Sequence, residues 1–375
     1  MISGVLIGFE VLKKISHVFL LVALYLTAAG GDANAGMSVE GAMSDALQSY
    51  SLDKGMYVVI TGSGSALPDP KRAGASAAVV VDGTVLQFDF GRGVMENMML
   101  SGINPMDIDY IFLTHHHFDH IASYGYYLIA NWIAGRQEPV YVYGPEGIED
   151  LTQGAYIMNK SNIEFTKFIV KNWPERLKRK PLAEPPYVVK DVDSGVILDT
   201  PKIKITAVRT PHYPDDISKS LAYRVDTPYG SVVITGDTGY SDDVIKLADH
   251  ADLLIHECQK PDPGMVKGGK MTAEAFQKPS KKRPQTHHTT PTELGKIANL
   301  AQVKKVVPYH LPPYGSVPKA REMTSLYTGE AGLDIWAKYI TAIHKNYEGP
   351  VVLAEDTMVF RVGGEPVDQA GEDAK

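Results

Sequence analysis

Cysteine is almost absent: the 375 residues carry one, Cys258. No intramolecular disulfide can form, and a thiolate cluster for zinc is excluded. Any metal must be held by histidine and carboxylate, a donor set that suits a reactive site better than a closed structural one. An excess of positive charge is also lacking. Lys and Arg number 37 against 44 Asp and Glu, a formal charge of −7, so no global field draws in nucleic acid. The apolar run Val18 to Ala29 falls short of the ~20 residues that span a membrane. Gly62 and Gly64 are not followed by Gly-Lys-Ser/Thr, which argues against a nucleotide loop and for a tight turn beside a site. No internal repeat of short period is present.

A hydrophobic content of 44% over this length supports one large α/β domain. Residues 1–35 read as an export signal: Lys13 and Lys14, the apolar run, then Ala33-Asn34-Ala35 as a small-x-small cleavage site. Cleavage after Ala35 and a periplasmic or secreted product are expected. The long apolar start MISGVLIGFEVL leaves an uncleaved anchor as the alternative. Residues 36–55 read as a leader, 56–362 as the folded domain, and 363–375 as a disordered acidic tail.

Within the domain the pattern predicts strands over 77–81 and 84–90, joined by the hairpin signal Asp82-Gly83. Helices are predicted over 94–101 and 121–133, and strands over 107–114, 140–144, 203–208, 221–225, 231–235, 251–255 and 303–308. VVLAEDTMVFRV reads as a last strand. Thr289 or Thr290 is placed to cap a helix starting near Pro291. The cation-rich stretch 160–180 reads as a solvated helix face, with a patch for anionic substrate as the alternative. Residues 259–285 lack periodicity and are expected to overhang the site as a loop.

The densest signal is IFLTHHHFDH, residues 111–120. Alternate residues of an extended chain point the same way, so His115 and His117 can face one ion while Asp119 and His120 turn toward a second. His116 then points away. The segment resembles the metal loop of the metallo-β-lactamase-fold hydrolases, which take further ligands from later strand ends; His212, Asp237 and His310 lie there, each past a β-branched run. The same resemblance makes Asp89, at the end of FDF, and His256-Glu257, in LLIHE, candidates for supporting the ligands by hydrogen bonds.

THHHFDH resembles the His-x-His-x-Asp-His signature of the metallo-β-lactamase-fold hydrolases. GSGSALPDPKR, FDFGRG, GPEG, GDT, LLIHE and HHTTP look most similar to the exported zinc-dependent arylsulfatase branch of the ribonuclease Z-like group. The resemblance implies a four-layer αββα sandwich and two zinc ions, with manganese or iron compatible with the same donors. It implies His115, His117 and His212 on one ion, Asp119, His120 and His310 on the other, and Asp237 bridging. Asp119 and His288 are the implied catalytic residues, His288 stabilising developing charge or protonating the leaving oxygen; His288 rather than its neighbour His287 is chosen because it stands directly before the threonines of the motif. Histidine at 117 distinguishes the chain from oxygen-reducing relatives, and Asp237 from antibiotic-cleaving ones.

The implied function is an exported dinuclear zinc hydrolase that opens aryl sulfates or phosphodiester-type esters by metal-bound hydroxide. Its partner is a small anionic ester; nucleic acid is not expected, no stable membrane span is expected after signal cleavage, and a homodimer is compatible. The alternatives are a ribonuclease Z-type tRNA 3′ endonuclease, a lactonase-like hydrolase, or a metal-binding protein without catalysis. Against ribonuclease Z stand the export signal and the absence of a Gly/Pro-rich arm between Gly144 and His212.

Overall fold

The computed structural model describes residues 52–176, 181–213, 217–267, 287–315, 317–319, 322 and 330–363. The expected signal (1–35), nearly all of the leader and of the acidic tail, and most of the 259–285 loop lie outside the described residues. Leu52, assigned to the leader, is buried in the core, so the folded domain starts a few residues earlier than 56. Among the described residues no helix is long and apolar enough to cross a membrane.

Two sheets form the centre. The first runs β15 (Val359–Val362), β1 (Met56–Gly62), β2 (Ser76–Val81), β3 (Thr84–Phe88), β4 (Ile108–Phe112), β5 (Val140–Gly144) and β6 (Tyr187–Asp191). The second runs β13 (Val306–Tyr309), β11 (Leu253–Glu257), β10 (Gly230–Ile234), β9 (Leu221–Thr227), β8 (Lys204–Arg209) and β7 (Gly195–Asp199). A small third pair joins β12 (Val266–Lys267) to β14 (Glu330–Ala331).

Alternation of side chains across the strands builds three cores. Val58, Val79, Leu86 and Phe112 of the first sheet meet Ile205, Tyr223, Val232 and Ile255 of the second in the inner one. The outer face of the first sheet packs on α1 (Val94–Leu100), α3 (Tyr124–Ile133) and α4 (Ile148–Met158). The outer face of the second packs on α6 (Asp242–Leu247), α7 (Pro291–Leu300) and α8 (Ile335–Ile343). This is the expected αββα sandwich.

The Asp82-Gly83 hairpin forms with Val81 opposite Thr84, and both turn residues take the positive φ that such a turn demands. The helix expected over 121–133 forms over α3, preceded by a separate turn of helix, α2 (Phe118–Ile121). Much of 160–180 forms α5 (Lys160–Asn172), whose lysines are exposed. Thr290, not Thr289, caps α7, in a reciprocal capping box with Glu293.

Two expectations need correction. VVLAEDTMVFRV is a strand only over β15, because Asp356 bends the chain to accept hydrogen bonds from Ser63, Ala73 and Asn97. Gly62 and Gly64 form no positive-φ turn. A Cβ on Gly62 would lie 1.7 Å from the Gly74 carbonyl oxygen, so glycine is required there by close approach of backbones. Gly74 in turn abuts the Asp119 carbonyl.

Candidate metal centre

Each candidate ligand sits just beyond a strand end. His115 and His117 follow β4, Asp119 and His120 lie in α2, His212 follows β8, Asp237 follows β10 and His310 follows β13. Strands β3, β4 and β5 run parallel, as do β10, β11 and β13, so these ends open on common edges. Two groups result, within each of which the donor atoms lie within 4.8 Å of one another: His115, His117, His212 and Asp237; and Asp119, His120 and His310.

Asp237 faces both. Its Oδ2 is 3.8 Å from His115 Nε2 and 3.7 Å from His212 Nε2, while its Oδ1 is 3.3 Å from both His120 Nε2 and His310 Nε2. Asp119 Oδ2 closes the second group, 3.1 Å from His310 Nε2 and 3.7 Å from His120 Nε2. Gly236 lets this loop in: it has φ +56°, and a Cβ there would fall 2.4 Å from Thr114 Cβ.

Hydrogen bonds fix which imidazole nitrogen is left for a metal. Asp89, itself at φ 58°, accepts from Thr114 N and Oγ1 at 2.7 and 2.8 Å and from His120 Nδ1 at 2.8 Å. Thr114 Oγ1, having given its proton to Asp89, accepts from His115 Nδ1 at 3.0 Å. His212 Nδ1 donates to the His287 carbonyl at 2.9 Å. His115, His120 and His212 therefore turn Nε2 lone pairs inward.

These residues fit metal ions. His115 Nε2 and His212 Nε2 both lie 3.0 Å from His117 Nδ1, three imidazole nitrogens converging where protons cannot satisfy them all. His120 Nε2 and Asp237 Oδ1 are buried without a hydrogen-bond partner. Burial lowers His115 well below the usual histidine range and His212 to about 4, which keeps both neutral. Burial pulls His120 down too, but Asp237, Asp89 and Asp119 outweigh it and raise it. This buried carboxylate excess calls for added positive charge. All the donors are N or O; the Cys258 thiol is buried in the helix-side core.

His288 lies at the edge of this pocket. Its Nδ1 is 3.1 Å from Glu257 Oε1 and 3.9 Å from Asp237 Oδ2. Burial would lower its pKa, but Glu257, followed by Asp237 and Asp119, raises it to about 9. Glu257 also accepts from the backbone N–H groups of Thr238, Gln259 and Thr289. His256, expected beside it, is not at the site. Leu253 and Ile255 face the inner core, so by alternation His256 turns with Leu254 toward the helices, where its Nδ1 binds the Glu257 carbonyl. His116 belongs to neither ligand group and packs near Gly147.

Two contributors escaped the sequence reading and a third was named without its role. Thr114 was visible only as the polar residue ending a β-run. His287, expected only as the neighbour of His288, accepts from His212 Nδ1 through its carbonyl and donates its own Nδ1 to the His212 carbonyl. Tyr213 packs its ring against His117, His212 and His115 at 4.7, 5.1 and 5.8 Å; only its place after His212 hinted at this.

The sequence pattern of the metallo-beta-lactamase superfamily matches residues 71–269, more than half of the chain. With the sandwich and the two donor groups in place, the chain belongs to this superfamily of metal-dependent hydrolases. Among curated relatives it is similar to ribonuclease Z of Mycobacterium sp. (strain KMS), 31% identical over 207 residues, 55% of this chain and 69% of that protein. Ribonuclease Z of Mycobacterium bovis (strain BCG / Pasteur 1173P2) is 28% identical over 210 residues, 55% and 71% of the two chains. Among solved structures, the short form of human tRNase Z aligns with TM-score 0.57 and 21% identity over 82% of this chain and 99% of its own. The Bacillus subtilis metallo-beta-lactamase fold protein YhfI aligns with TM-score 0.56 and 19% identity, over 81% and 98%. These two show likeness of fold.

Proposed function

We propose that this chain is a dinuclear, metal-dependent phosphodiesterase of the ribonuclease Z type, with RNA as its substrate class. The observation that carries the chemistry is His288, held by Glu257 Oε1 at 3.1 Å on the rim of the two donor groups. Similarity to ribonuclease Z supports RNA as the substrate, against the expectation that nucleic acid is not a partner. His115, His117, His212 and Asp237 would hold one ion, and Asp119, His120 and His310, with Asp237 Oδ1, the other. Zinc suits this all-N/O set, as do manganese and iron. Bound ions would polarise the ester and lower the pKa of an attacking water.

The chain's own residues supply the rest. With Nδ1 engaged by Glu257, the Nε2–H of His288 is left to stabilise charge on the ester oxygens or to give a proton to the leaving oxygen. Asp119 faces the same gap and is placed to orient water.

A second reading, an exported aryl sulfate hydrolase, is favoured by the signal-like pattern of residues 1–35 and the formal charge of −7; a sulfate ester is a tetrahedral oxyanion served by the same groups. Parallel kinetics on precursor tRNA, bis(p-nitrophenyl) phosphate, p-nitrophenyl sulfate and a lactone, with metal content measured on the same sample, separate the two. Cleavage of tRNA or diester orders of magnitude above sulfate is expected. Preferential sulfate turnover would install the second reading, and a chain that binds metal without turning over any substrate would refute both. His117→Ala and Asp237→Ala should lose metal and activity together. His288→Ala should keep metal and lose ~10²–10⁴ in rate.

A further inference from the structure

The ligand histidines are not supported alike. His115 is oriented by Thr114, His120 by Asp89 and His212 by the His287 carbonyl. For His117 the hydrogen bonds among the described residues all involve the inward Nδ1, and its Nε2 has no partner among them. What packs on His117 from outside the ligand set is Tyr213, with ring centroids 4.7 Å apart and planes tilted by 58°. The same Tyr213 ring meets His212 at 5.1 Å, and His288 meets His212 at 5.1 Å as well. Tyr213 is half-buried, and its hydroxyl makes no hydrogen bond to a described residue.

We propose that Tyr213 completes the site in two ways: its ring positions His117 where His115, His120 and His212 have a hydrogen bond, and its hydroxyl is a substrate-facing donor to a non-bridging oxygen of a tetrahedral phosphoryl group. A phenol is neutral at working pH and so donates to an oxyanion without adding charge to the pocket. It would act alongside His288, with the imidazole of His212 packed against both. The hydroxyl role rests on the phosphodiesterase reading; the ring role does not.

Two substitutions separate the roles. Tyr213→Phe keeps the ring and removes the donor: metal content should be unchanged, kcat on bis(p-nitrophenyl) phosphate should fall ~10²-fold as for loss of one oxyanion donor, and the affinity for inorganic phosphate, measured by calorimetry on the metal-loaded protein, should fall severalfold. Tyr213→Ala removes both, and should in addition weaken metal retention against a chelator by ~10–100-fold, the usual effect of losing a ligand's support. Unchanged kcat and phosphate affinity in Tyr213→Phe would overturn the donor role. Equal metal retention in Tyr213→Ala and wild type would overturn the positioning role. If the wild type binds phosphate in a Tyr213-dependent way yet cleaves no diester, the phosphodiesterase reading fails and takes the hydroxyl's role in turnover with it, while the phosphate contact and the ring role stand.

Discussion

Glu257 Oε1 lies 3.1 Å from His288 Nδ1 and 2.9 Å from the Thr289 backbone nitrogen, so one buried carboxylate fixes both the histidine and the chain that carries it. Glu257→Gln should therefore act through His288, lowering turnover ~10–100-fold with metal retained. Combined with His288→Ala it should add little, because the two form one unit. Fully additive losses in the double variant would show that Glu257 serves the fold alone.

Asp89 accepts three hydrogen bonds at the root of the metal loop, one of them from His120. Asp89→Ala should strip metal from the Asp119, His120 and His310 group first, with affinity down ~10–100-fold. Titration with a chelator, monitored by elemental analysis, reads this directly; two ions lost in step would contradict it.

Gly236 tolerates no side chain. Its φ is +56°, and a Cβ added there would lie 2.4 Å from Thr114 Cβ. Gly236→Ala should cost ~1–3 kcal/mol in urea unfolding and displace Asp237. A variant of native stability and full metal content would mean the loop has another way to sit.

Asp82 tests acid stability. Its carboxylate accepts from Gly55 N, Tyr229 Oη and Lys202 Nζ, which hold its pKa down at about 2 from the ordinary 3.8. A depressed carboxylate stabilises the fold above its unfolded pKa, and that contribution is lost as pH falls from about 3.8 to about 2. Asp82→Asn should flatten this part of the stability-against-pH curve while leaving pH 7 metal content unchanged. An identical acid limb in both proteins would remove Asp82 as its source.

Removal of the metal should lower the thermal midpoint, since an ion bound by the folded state alone adds to its stability by mass action. Chelation followed by zinc, manganese or iron should restore the midpoint to different extents, and the ion that restores it most is the one the donor set prefers. No change on chelation would argue that the buried carboxylates are balanced without an ion.

The sequence by itself determined the layered fold and the candidate ligand set. Short apolar and β-branched runs mark β1 to β5 and β8 to β11, with β1 and β2 buried along their whole length, and His115, His117, Asp119 and His120 are neighbours whatever the tertiary structure, because strand alternation and one helical turn bring them together. Only the tertiary structure decided the rest. Glu257 and His288, 31 positions apart, meet because β11 ends beside the start of α7. His256 was separated from Glu257 by which face of β11 met the inner core, and the His287 carbonyl and the Tyr213 ring reached the ligands through packing between segments distant in the chain. Local spacing dictates what neighbours along the chain can do together; orientation of each imidazole depends on partners that only folding supplies.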